Sequence, residues 1–282
     1  MKQLKDRIAV VTGAGSGIGR ALSRLLAEEG CRLAIADINA AGLEETRREI
    51  EGLGRPVSAH QVDVSNKPRM QAFVDEVLAA HGGVNILVNN AGVAVAKTFE
   101  DHTLEDFEWL MGINFWGVIY GCKGFLPHLL KAEEGHIVNI SSLFGLVGVP
   151  MQSSYCASKF AVRGFSEALR VELSTSKVGV SSVHPGGIAT NIAAASRHNG
   201  DAESTALHQR SVSMFKKMMP ASAAAARIVA GIKKNKARVL ITRETYALDF
   251  AKRVAPDAST SLVAWGFSRM TGTSGRTENS KH

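Results

Sequence analysis

Ile8-Ala9-Val10-Val11-Thr12-Gly13-Ala14-Gly15-Ser16-Gly17-Ile18-Gly19 places a glycine-rich turn directly after an apolar run. Apolar residues at helical spacing follow, from Ala21 to Leu26, so the segment predicts a buried strand, a turn and a helix. Glycines let the backbone approach a diphosphate closely, and the N–H groups of a helix N-terminus attract its negative charge. The segment therefore predicts a phosphate-binding turn formed by Gly13, Ser16, Gly17, Ile18 and Gly19.

The spacing of the glycines leaves a second interpretation open. It is Gly-x-x-x-Gly-x-Gly rather than the common dinucleotide fingerprint Gly-x-Gly-x-x-Gly, so the turn could be purely structural. A second apolar run, residues 32–36, ends on Asp37. An acid about 20 residues past the glycines is where such folds hold the ribose hydroxyls of adenosine. Asp37 could equally cap the helix that follows it, and the two roles are compatible.

Composition and length are those of one globular unit. The chain has 282 residues, 45% of them hydrophobic and 21% charged, which suits a single large core. The three cysteines lie far apart, without disulfide or metal-ligand spacing, and no histidine pair has metal-binding spacing. The charged N-terminus runs straight into the first strand, and no apolar run approaches the ~20 residues of a bilayer span. We expect a cytoplasmic protein with no signal peptide, no transmembrane segment and no metal site.

The net charge of +7 raises the question of an anionic partner. Part of the excess lies in Lys233, Lys234, Lys236 and Arg238. A nucleic-acid or anionic-lipid patch is one interpretation, and a solvated helix end is the other. No nucleic-acid motif or interleaved aromatic residue accompanies these charges, so we expect no nucleic-acid partner.

Apolar runs alternate along the chain with segments of helical periodicity. Strands are predicted at 8–12, 32–37, 58–62, 84–88, 136–140, 179–184 and 238–241. Helices are predicted near 17–29, 40–53, 66–81, 103–131, 152–176 and 221–234. This alternation predicts an α/β fold: a doubly wound, Rossmann-like parallel sheet in a single domain, with helices on both faces. The order of the strands in the sheet does not follow from the pattern.

Three segments stand apart from the alternation. Within a catalytic domain of residues 1–243, the Ala-, Ser- and Met-rich residues 190–219 predict a mobile lid over the substrate or, as an alternative, a surface excursion with its own small core. Residues 244–270 predict a helical extension whose apolar side needs a partner surface. This surface could belong to the same subunit, a neighbouring subunit or a membrane, and we favour docking within an oligomer. The polar residues 271–282 predict a disordered tail.

A tyrosine and a lysine share one helix face. Tyr155 and Lys159 are spaced i, i+4 in Tyr155-Cys156-Ala157-Ser158-Lys159, which makes their side chains neighbours. A nearby cation lowers the pKa of a phenol from its ordinary value near 10, and a phenol so tuned can exchange a proton with an alcohol or carbonyl oxygen. The same spacing occurs by chance on solvated helices, so its weight comes from the motifs around it.

Polar or glycine-rich segments also end three further strands. The predicted strand from His136 to Ile140 ends on Ser141-Ser142, another ends on Asn89-Asn90-Ala91-Gly92, and a third on Pro185-Gly186. Ligands of open α/β sheets bind at the carboxyl ends of the strands. We therefore expect these segments, the glycine turn and Asp37 to meet at one edge of the sheet.

With these motifs the chain resembles the short-chain dehydrogenase/reductase family, over roughly residues 5–190 and more loosely over 220–243. Thr12-Gly13 with Gly17 and Gly19 is similar to the family's Thr-Gly-x-x-x-Gly-x-Gly, and Asn89-Asn90-Ala91-Gly92 to its sheet-stabilising motif. The resemblance implies further cofactor contacts through the following residues: Asp63, Val64, Asn90, Ala91, Gly92, Tyr155, Lys159, Pro185, Gly186, Ile188 and Thr190.

The resemblance also implies catalytic roles. Tyr155 is expected to be the general acid/base, and Lys159 to lower its pKa and bind the nicotinamide ribose. Ser142, thirteen residues before Tyr155 as in the family, is expected to polarise the substrate oxygen, with Ser141 as the competing candidate. Asn114, in Ile113-Asn114-Phe115, is expected to hold a water of the proton relay.

Charge around the second strand favours NAD over NADP. The Asp37 carboxylate would accept hydrogen bonds from a ribose diol and repel an added phosphate. Ser16 and Ile38 occupy positions where NADP-preferring relatives usually carry a basic residue, and neither is cationic.

The predicted substrate pocket is apolar. Its expected walls are Val93, Val95, Leu143, Phe144, Leu146, Val149, Met151 and Gln152, joined by the 190–219 segment. No arginine among them would clamp a carboxylate, which favours an apolar secondary alcohol or ketone. Several of these residues could instead be core only.

The resemblance also implies an oligomeric state. Relatives usually form homotetramers or homodimers through the helices predicted at 103–131 and 152–176, and we expect the same here. Two other classes remain: a catalytically silent NAD-binding sensor or scaffold, against which the intact Asn114, Ser142, Tyr155 and Lys159 argue, and a nucleic-acid or membrane-surface binder.

Overall fold

The computed structural model of the protein describes residues 1–271. The strands are β1 Ile8–Thr12, β2 Arg32–Asp37, β3 Val57–Gln61, β4 Ile86–Asn89, β5 Gly135–Ile140, β6 Val178–His184, β7 Ile188–Ala189, β8 Met219–Pro220 and β9 Arg238–Leu240. The helices are α1 Gly17–Glu28, α2 Ala40–Gly52, α3 Lys67–His81, α4 Leu104–Met111, α5 Gly117–Lys131, α6 Ser153–Glu172, α7 Ala202–Phe215, α8 Ala221–Lys233, α9 Arg243–Val254 and α10 Pro256–Thr271. Apart from its first residue, the predicted tail 271–282 lies outside the described residues.

Seven strands form one parallel sheet in the order β3-β2-β1-β4-β5-β6-β9. The chain crosses from β3 at one edge back to β4, beside β1, so the strand order reverses between β1 and β4. A crevice at the carboxyl ends of the strands forms at such a reversal. The predicted doubly wound α/β fold is confirmed, and the structure adds the strand order that the sequence pattern left undetermined.

Each face of the sheet is covered by three helices. Alternate strand residues point to opposite faces, so Ala9 and Val11 of β1 pack with α1, α2 and α8, whereas Val10 packs with α3, α5 and α6. Phe73 of α3 and Phe125 of α5 are fully buried and meet edge to face, with ring centroids 5.7 Å apart. Because both faces are covered, the strands read as continuous apolar runs rather than as alternating ones.

The helix predicted at 103–131 is not continuous. A π-helical turn, Gly112–Trp116, separates α4 from α5. The extra residue in such a turn rotates the side chains that follow it, and π-turns concentrate at functional sites. Helical periodicity continues on both sides of the turn, which is why the sequence pattern alone gave one helix.

Residues 190–219 contain a helix rather than a structureless connection. Helix α7 occupies 14 residues of this segment, and the short strands β7 and β8 pair in parallel at its two ends. The side chain of Asp201 caps α7 by accepting a hydrogen bond from the Ser204 N–H, at 2.8 Å.

The C-terminal extension packs on its own subunit. Asp249 of α9 accepts a hydrogen bond from Arg238 of β9 at 2.6 Å, and Leu248 joins a small apolar cluster with Leu146 and Val147. Of the three surfaces left open by the sequence, α9 therefore uses the parent subunit. None of the helices within residues 1–271 combines the length and hydropathy that a bilayer span requires.

A chain of buried amides joins two central strands to α6. Asn89 of β4 donates to the Asn139 Oδ1 at 2.8 Å, and Asn139 of β5 donates to the Ser166 Oγ of α6 at 3.0 Å. Asn139 and Ser166 are buried, so an unmade hydrogen bond there would not be replaced by water.

We expect Asn139→Ala to lower the free energy of unfolding by about 1–3 kcal/mol, because the buried Asn89 amide and the buried Ser166 hydroxyl each lose one hydrogen bond and keep only their bonds to Cys122 and to the Val162 carbonyl. Urea unfolding followed by circular dichroism measures the change. Gln209→Ala, at an exposed position of α7, is the matched control and should have little effect. Equal stability of the two variants would contradict a structural role for the amide chain.

Candidate active site

The glycine turn is open on one side and tightly packed on the other. Gly13 and Gly17 adopt φ values of +63° and +52°, where a side chain would be strained. A Cβ on Gly13 would lie 2.7 Å from the Ala91 Cα, and one on Gly19 would overlap the Gly13 carbonyl oxygen. Around Gly17 the nearest atoms belong to Thr190 alone. The turn thus forms a cradle at the N-terminus of α1, as a diphosphate requires.

Asp37 supports the turn from the end of β2. Its Oδ2 accepts a hydrogen bond from the Gly15 N–H at 2.8 Å, and its Oδ1 accepts one from the Asn39 N–H at 2.9 Å. Asn39 in turn caps α2 by accepting from the Gly42 N–H. The carboxylate therefore holds both the turn and the start of α2, and Asp37 still lines the cavity described below.

The neighbouring cation Arg20 is already engaged. Its guanidinium donates to the Gly15 and Gly42 carbonyl oxygens at 2.6 and 3.1 Å. The same group lies 2.7 Å from the Glu45 carboxylate. Arg20 is thus committed to the backbone and to α2 rather than directed at the end of β2.

Asn90 fastens the glycine turn to β4. Its side chain donates to the Thr12 and Gly13 carbonyl oxygens at 2.9 and 3.0 Å, while the Thr12 hydroxyl accepts from the Asn90 N–H at 3.0 Å. Asp63, after β3, is fixed by hydrogen bonds from the N–H and the hydroxyl of Ser65. Asp63, Val64, Asn90, Ala91 and Gly92 all line the same cavity as the turn.

Tyr155, Ser142 and Lys159 meet at the ends of β5 and α6. The Ser142 side chain hydrogen-bonds the phenol of Tyr155, and the Ser142 Oγ also accepts from the Phe144 N–H at 3.1 Å. The Lys159 Nζ lies 5.5 Å from the centroid of the Tyr155 ring and donates to the Ile140 carbonyl oxygen at 3.1 Å. All three residues line the cavity.

Burial sets the pKa values of this pair. It raises the pKa of Tyr155 to about 12, against the opposing effect of the Ser142 hydrogen bond. It lowers the pKa of Lys159 to about 8. The sequence analysis expected Lys159 to lower the pKa of Tyr155. In this structure the ammonium faces the Ile140 carbonyl, so burial dominates and the phenol keeps its proton at neutral pH.

Ser141, the competing candidate, has a structural role. It is buried, and its hydroxyl donates to the Lys159 carbonyl oxygen at 2.8 Å. Ser142 is the serine that contacts Tyr155.

Asn114 lies in the π-helical turn and is fully buried. Its Oδ1 accepts from the Val93 N–H at 2.8 Å, and its Nδ2 donates to the Val93 carbonyl at 3.0 Å and the Ser158 Oγ at 3.2 Å. A Cβ on Gly92 would lie 3.2 Å from the Asn114 Oδ1 and 3.4 Å from the Lys159 Nζ. Asn114 therefore lies beside Lys159, behind the wall of the cavity.

The segment after β6 closes over the glycine turn. Thr190 lies against Gly17, and the Pro185 carbonyl accepts from the Leu143 N–H at 2.6 Å. Glu244 of α9 accepts from the Gly187 N–H at 3.2 Å. The segment is thus held by α9 on one side and by the end of β5 on the other.

One cavity of about 1020 Å³ contains these groups. Of the residues expected at the cofactor and catalytic sites, all line it except Gly19 and Asn114, which pack behind it. The expected pocket walls Val93, Leu143, Phe144, Val149, Met151 and Gln152 line it too. Val95 and Leu146 were wrongly assigned, because both are buried behind residues that line the cavity and do not line it themselves.

Residues 190–219 join the wall of the cavity, as expected from the sequence, but the individual residues there and the contribution of α10 were not predicted. Further lining residues come from residues 190–219 and from α10: His198, Leu207, His208, Arg210, Ser211, Met214, Phe215, Met218, Val263 and Gly266. The expectation of a pocket without arginine was wrong at Arg210. The i, i+3, i+7 spacing of Leu207, Arg210 and Met214 was the available signal, but it does not tell which surface the helix covers.

An ion pair and a ring contact fix the beginning of the segment 190–219. The Arg197 guanidinium lies 3.5 Å over the Trp109 ring and pairs with Asp106 at 2.9 Å, while Lys97 pairs with the other Asp106 oxygen at 2.6 Å. Backbone hydrogen bonds join Ala96 and Ala94 to Arg197 at 2.8 and 3.1 Å. The loop before α7 is therefore fixed to the segment that follows β4.

Metal chemistry has no candidate centre in the described part of the chain. Residues 1–271 contain no group of three or more His, Cys, Asp or Glu side chains that could hold a metal ion.

Comparisons with known proteins agree with this architecture. The sequence model of the family described as short chain dehydrogenase matches residues 7–201. A Mycobacterium tuberculosis protein named as the oxidoreductase SadH is 41% identical over 274 residues, covering 95% of this chain and 98% of the relative. Cyclopentanol dehydrogenase of Comamonas testosteroni is 37% identical over 190 residues, covering 67% and 76%. A crystal structure of a short-chain dehydrogenase/reductase from Burkholderia phymatum in complex with NAD superposes with a TM-score of 0.84 at 28% identity over 100% of both chains.

We expect Arg197→Ala to accelerate amide hydrogen exchange at Ala96 and residue 197 about tenfold, because the variant loses the ring contact and one ion pair. Exchange mass spectrometry of the 94–97 and 190–200 peptides measures it. Lys216→Ala, which removes an exposed charge on the same segment, should leave both peptides unchanged. Unaltered exchange in Arg197→Ala would show that the backbone hydrogen bonds suffice.

Proposed function

The chain belongs to the short-chain dehydrogenase/reductase family of oxidoreductases, which use a nicotinamide cofactor, and on that premise we propose that it transfers a hydride between NAD(H) and an apolar secondary alcohol or ketone. One observation carries the proposal. The phenol of Tyr155, hydrogen-bonded to Ser142 and beside Lys159, faces the same cavity as the open glycine cradle. Hydride chemistry is the cofactor's, and the chain supplies proton transfer, placement and electrostatics.

Tyr155 is the proposed general acid/base. With a pKa of about 12, its phenol carries a proton at neutral pH and can donate it to the oxygen of a ketone as that oxygen gains negative charge. In the oxidative direction Tyr155 must first lose its own proton, and the phenolate oxygen then accepts the proton of the alcohol. Ser142, already bonded to the phenol, is a preorganised donor to the same substrate oxygen.

Lys159 and Asn114 are proposed to supply charge and a proton path. Movement of the Lys159 Nζ from the Ile140 carbonyl towards the phenol would lower the pKa of Tyr155, because an adjacent cation favours the phenolate. The Asn114 Oδ1 and the Lys159 Nζ both lie close to Gly92. Asn114 is proposed to hold a water that links Lys159 to solvent.

Three features support a preference for NAD over NADP. Asp37 presents a carboxylate to the cavity at the end of β2, where it would repel a 2′-phosphate. Ser16 and Ile38, which also line the cavity, carry no charge. Arg20 of α1 is bonded to two backbone carbonyls and to Glu45.

A homodimer or homotetramer is also proposed. Large apolar side chains are exposed on the π-helical turn, α5 and α6: Trp116 (48%), Leu130 (48%), Phe160 (40%) and Val171 (73%). Exposed apolar surface of this kind typically marks an interface between subunits.

We expect Tyr155→Phe to reduce kcat by about 100-fold or more, the contribution typical of a general acid/base, while NAD binding stays close to the wild-type value. A panel of alcohols and ketones followed at the absorbance of reduced nicotinamide, with calorimetry for the cofactor, measures both. Tyr120→Phe removes a phenolic oxygen outside the cavity and should retain activity. Turnover retained in Tyr155→Phe would contradict the assignment.

We expect Asp37→Ala to raise kcat/KM for NADP relative to NAD by about fivefold, since it removes a like-charge repulsion of roughly 1 kcal/mol. Affinity for NAD should also fall, because the variant loses the hydrogen bond to the Gly15 N–H. Asp75→Ala removes an equal charge from the exposed face of α3 and should not alter the ratio. A wild-type preference for NADP would refute the cofactor proposal.

A further inference from the structure

The titratable groups of the cavity are separated by sign. Among the lining side chains that the structure describes, the acids lie at the carboxyl ends of β2 and β3 (Asp37, Asp63) or on α9 (Glu244). Each accepts hydrogen bonds from neighbouring backbone or hydroxyl groups. The basic groups other than Lys159 all come from residues 190–219: His198, His208 and Arg210. The lid end of the cavity therefore carries positive charge without a matching described acid.

Arg210 is the group that sets this charge. It lies on α7 one turn from Leu207 and from Met214, which both line the cavity. It makes no ion pair with any side chain that the structure describes, whereas Arg197 on the same segment pairs with Asp106. A guanidinium presents a planar fork of donors that matches a carboxylate or a phosphate. Arg210 is thus a solvent-exposed cation at an apolar cavity, free of a counter-charge among the described side chains and available to an anionic ligand.

Two stacked imidazoles lie on the same segment. The rings of His198 and His208 are nearly parallel, at 9°, with centroids 4.1 Å apart. The His208 Nδ1 lies 3.4 Å from the Ser196 Oγ. Burial, with His198 beside it, lowers the pKa of His208, so this ring is a neutral hydrogen-bonding group at pH 7. The rings add polar contacts, while Arg210 supplies the fixed charge.

We propose that Arg210, assisted by His198 and His208, binds an anionic group at the end of the substrate remote from Tyr155. The cavity is also lined by large apolar side chains, which include Phe144, Met151, Ile192, Leu207, Met214 and Phe215. The substrate class is then a secondary alcohol or ketone on an apolar body that ends in a carboxylate or a similar anion. This inference rests on the proposed function only for the alcohol or ketone group of the substrate, the end that reacts at Tyr155.

Binding rather than turnover tests the anion site. The probes are decanoate, decanol and decylamine, which share one apolar chain and differ in the charge of the head group. Each is titrated by calorimetry into the full-length protein saturated with NAD. We expect decanoate to bind about tenfold more tightly than decanol, the effect of one charge-assisted hydrogen bond, and decylamine to bind more weakly than both.

Variants assign the preference to Arg210. Arg210→Gln should abolish the difference between decanoate and decanol while decanol still binds, and Arg210→Lys should keep most of it. Lys217→Gln, an exposed charge just past α7 that does not line the cavity, should behave as wild type. Equal binding of decanoate and decanol by the wild type, a preference that persists in Arg210→Gln, or no binding of decanoate would each overturn the proposal. Tyr155→Phe is expected to abolish the proposed reaction and to keep the preference for decanoate over decanol, whereas Arg210→Gln loses that preference, so failure of the proposed reaction and failure of the anion site are told apart.

Discussion

The register between β5 and α6 is the constraint on which the site depends. Three side chains set it: Asn139 donates to Ser166, Ser141 donates to the Lys159 carbonyl, and Lys159 donates to the Ile140 carbonyl. Asn139 and Ser141 point to the face of the sheet that α6 covers, because alternate strand residues share a face. A shift of α6 by one residue would turn Tyr155 away from Ser142. Hydrogen bonds fix this register better than apolar packing does, since they have one geometry and apolar contacts have several.

Burial of the pair Tyr155 and Lys159 inverts their order of proton loss. In water the phenol, at pKa 10.0, loses its proton slightly before the ammonium, at 10.5. In the protein the values are about 12 and about 8, because desolvation opposes the charged form of each group. The pair therefore presents a protonated phenol beside an ammonium that can itself release a proton near neutral pH. Only a positive charge brought closer to the phenolic oxygen reverses this order, which makes the position of the Lys159 Nζ the variable that tunes the site.

The cofactor half of the cavity was largely predictable from the sequence. It is built from strand ends, and the strands are marked by continuous apolar runs that stop on polar or glycine residues such as Asp37 and Asn90. Parallel strands bring these ends to one edge whatever the strand order. The prediction that the motifs meet at one edge therefore did not require the strand order to be known. Gly19 and Asn114 were placed in the right neighbourhood, although they pack behind the wall. The π-helical turn was not predictable, because one added residue changes the helical spacing of apolar residues too little to be seen in the sequence. The pKa of Tyr155 was mispredicted, because spacing reveals neighbours but not the depth of burial.

The substrate half was predicted only in part: residues 190–219 were expected to line it, but the individual lining residues of α7 and α10 were not, for a physical reason. Its walls come from α7 and α10, which lie outside the strand–helix alternation, and no periodic pattern states which surface they cover. A strand end is positioned by its sheet partners, as β4 is by β1 and β5, whereas α7 depends on a cap at Asp201 and on the Arg197 contacts with Asp106 and Trp109. Because these contacts are few, polar and local, they can be exchanged without disturbing the core. The proposed chemistry therefore belongs to the sheet edge, while α7, which brings Arg210 to the cavity, is the proposed source of substrate selectivity.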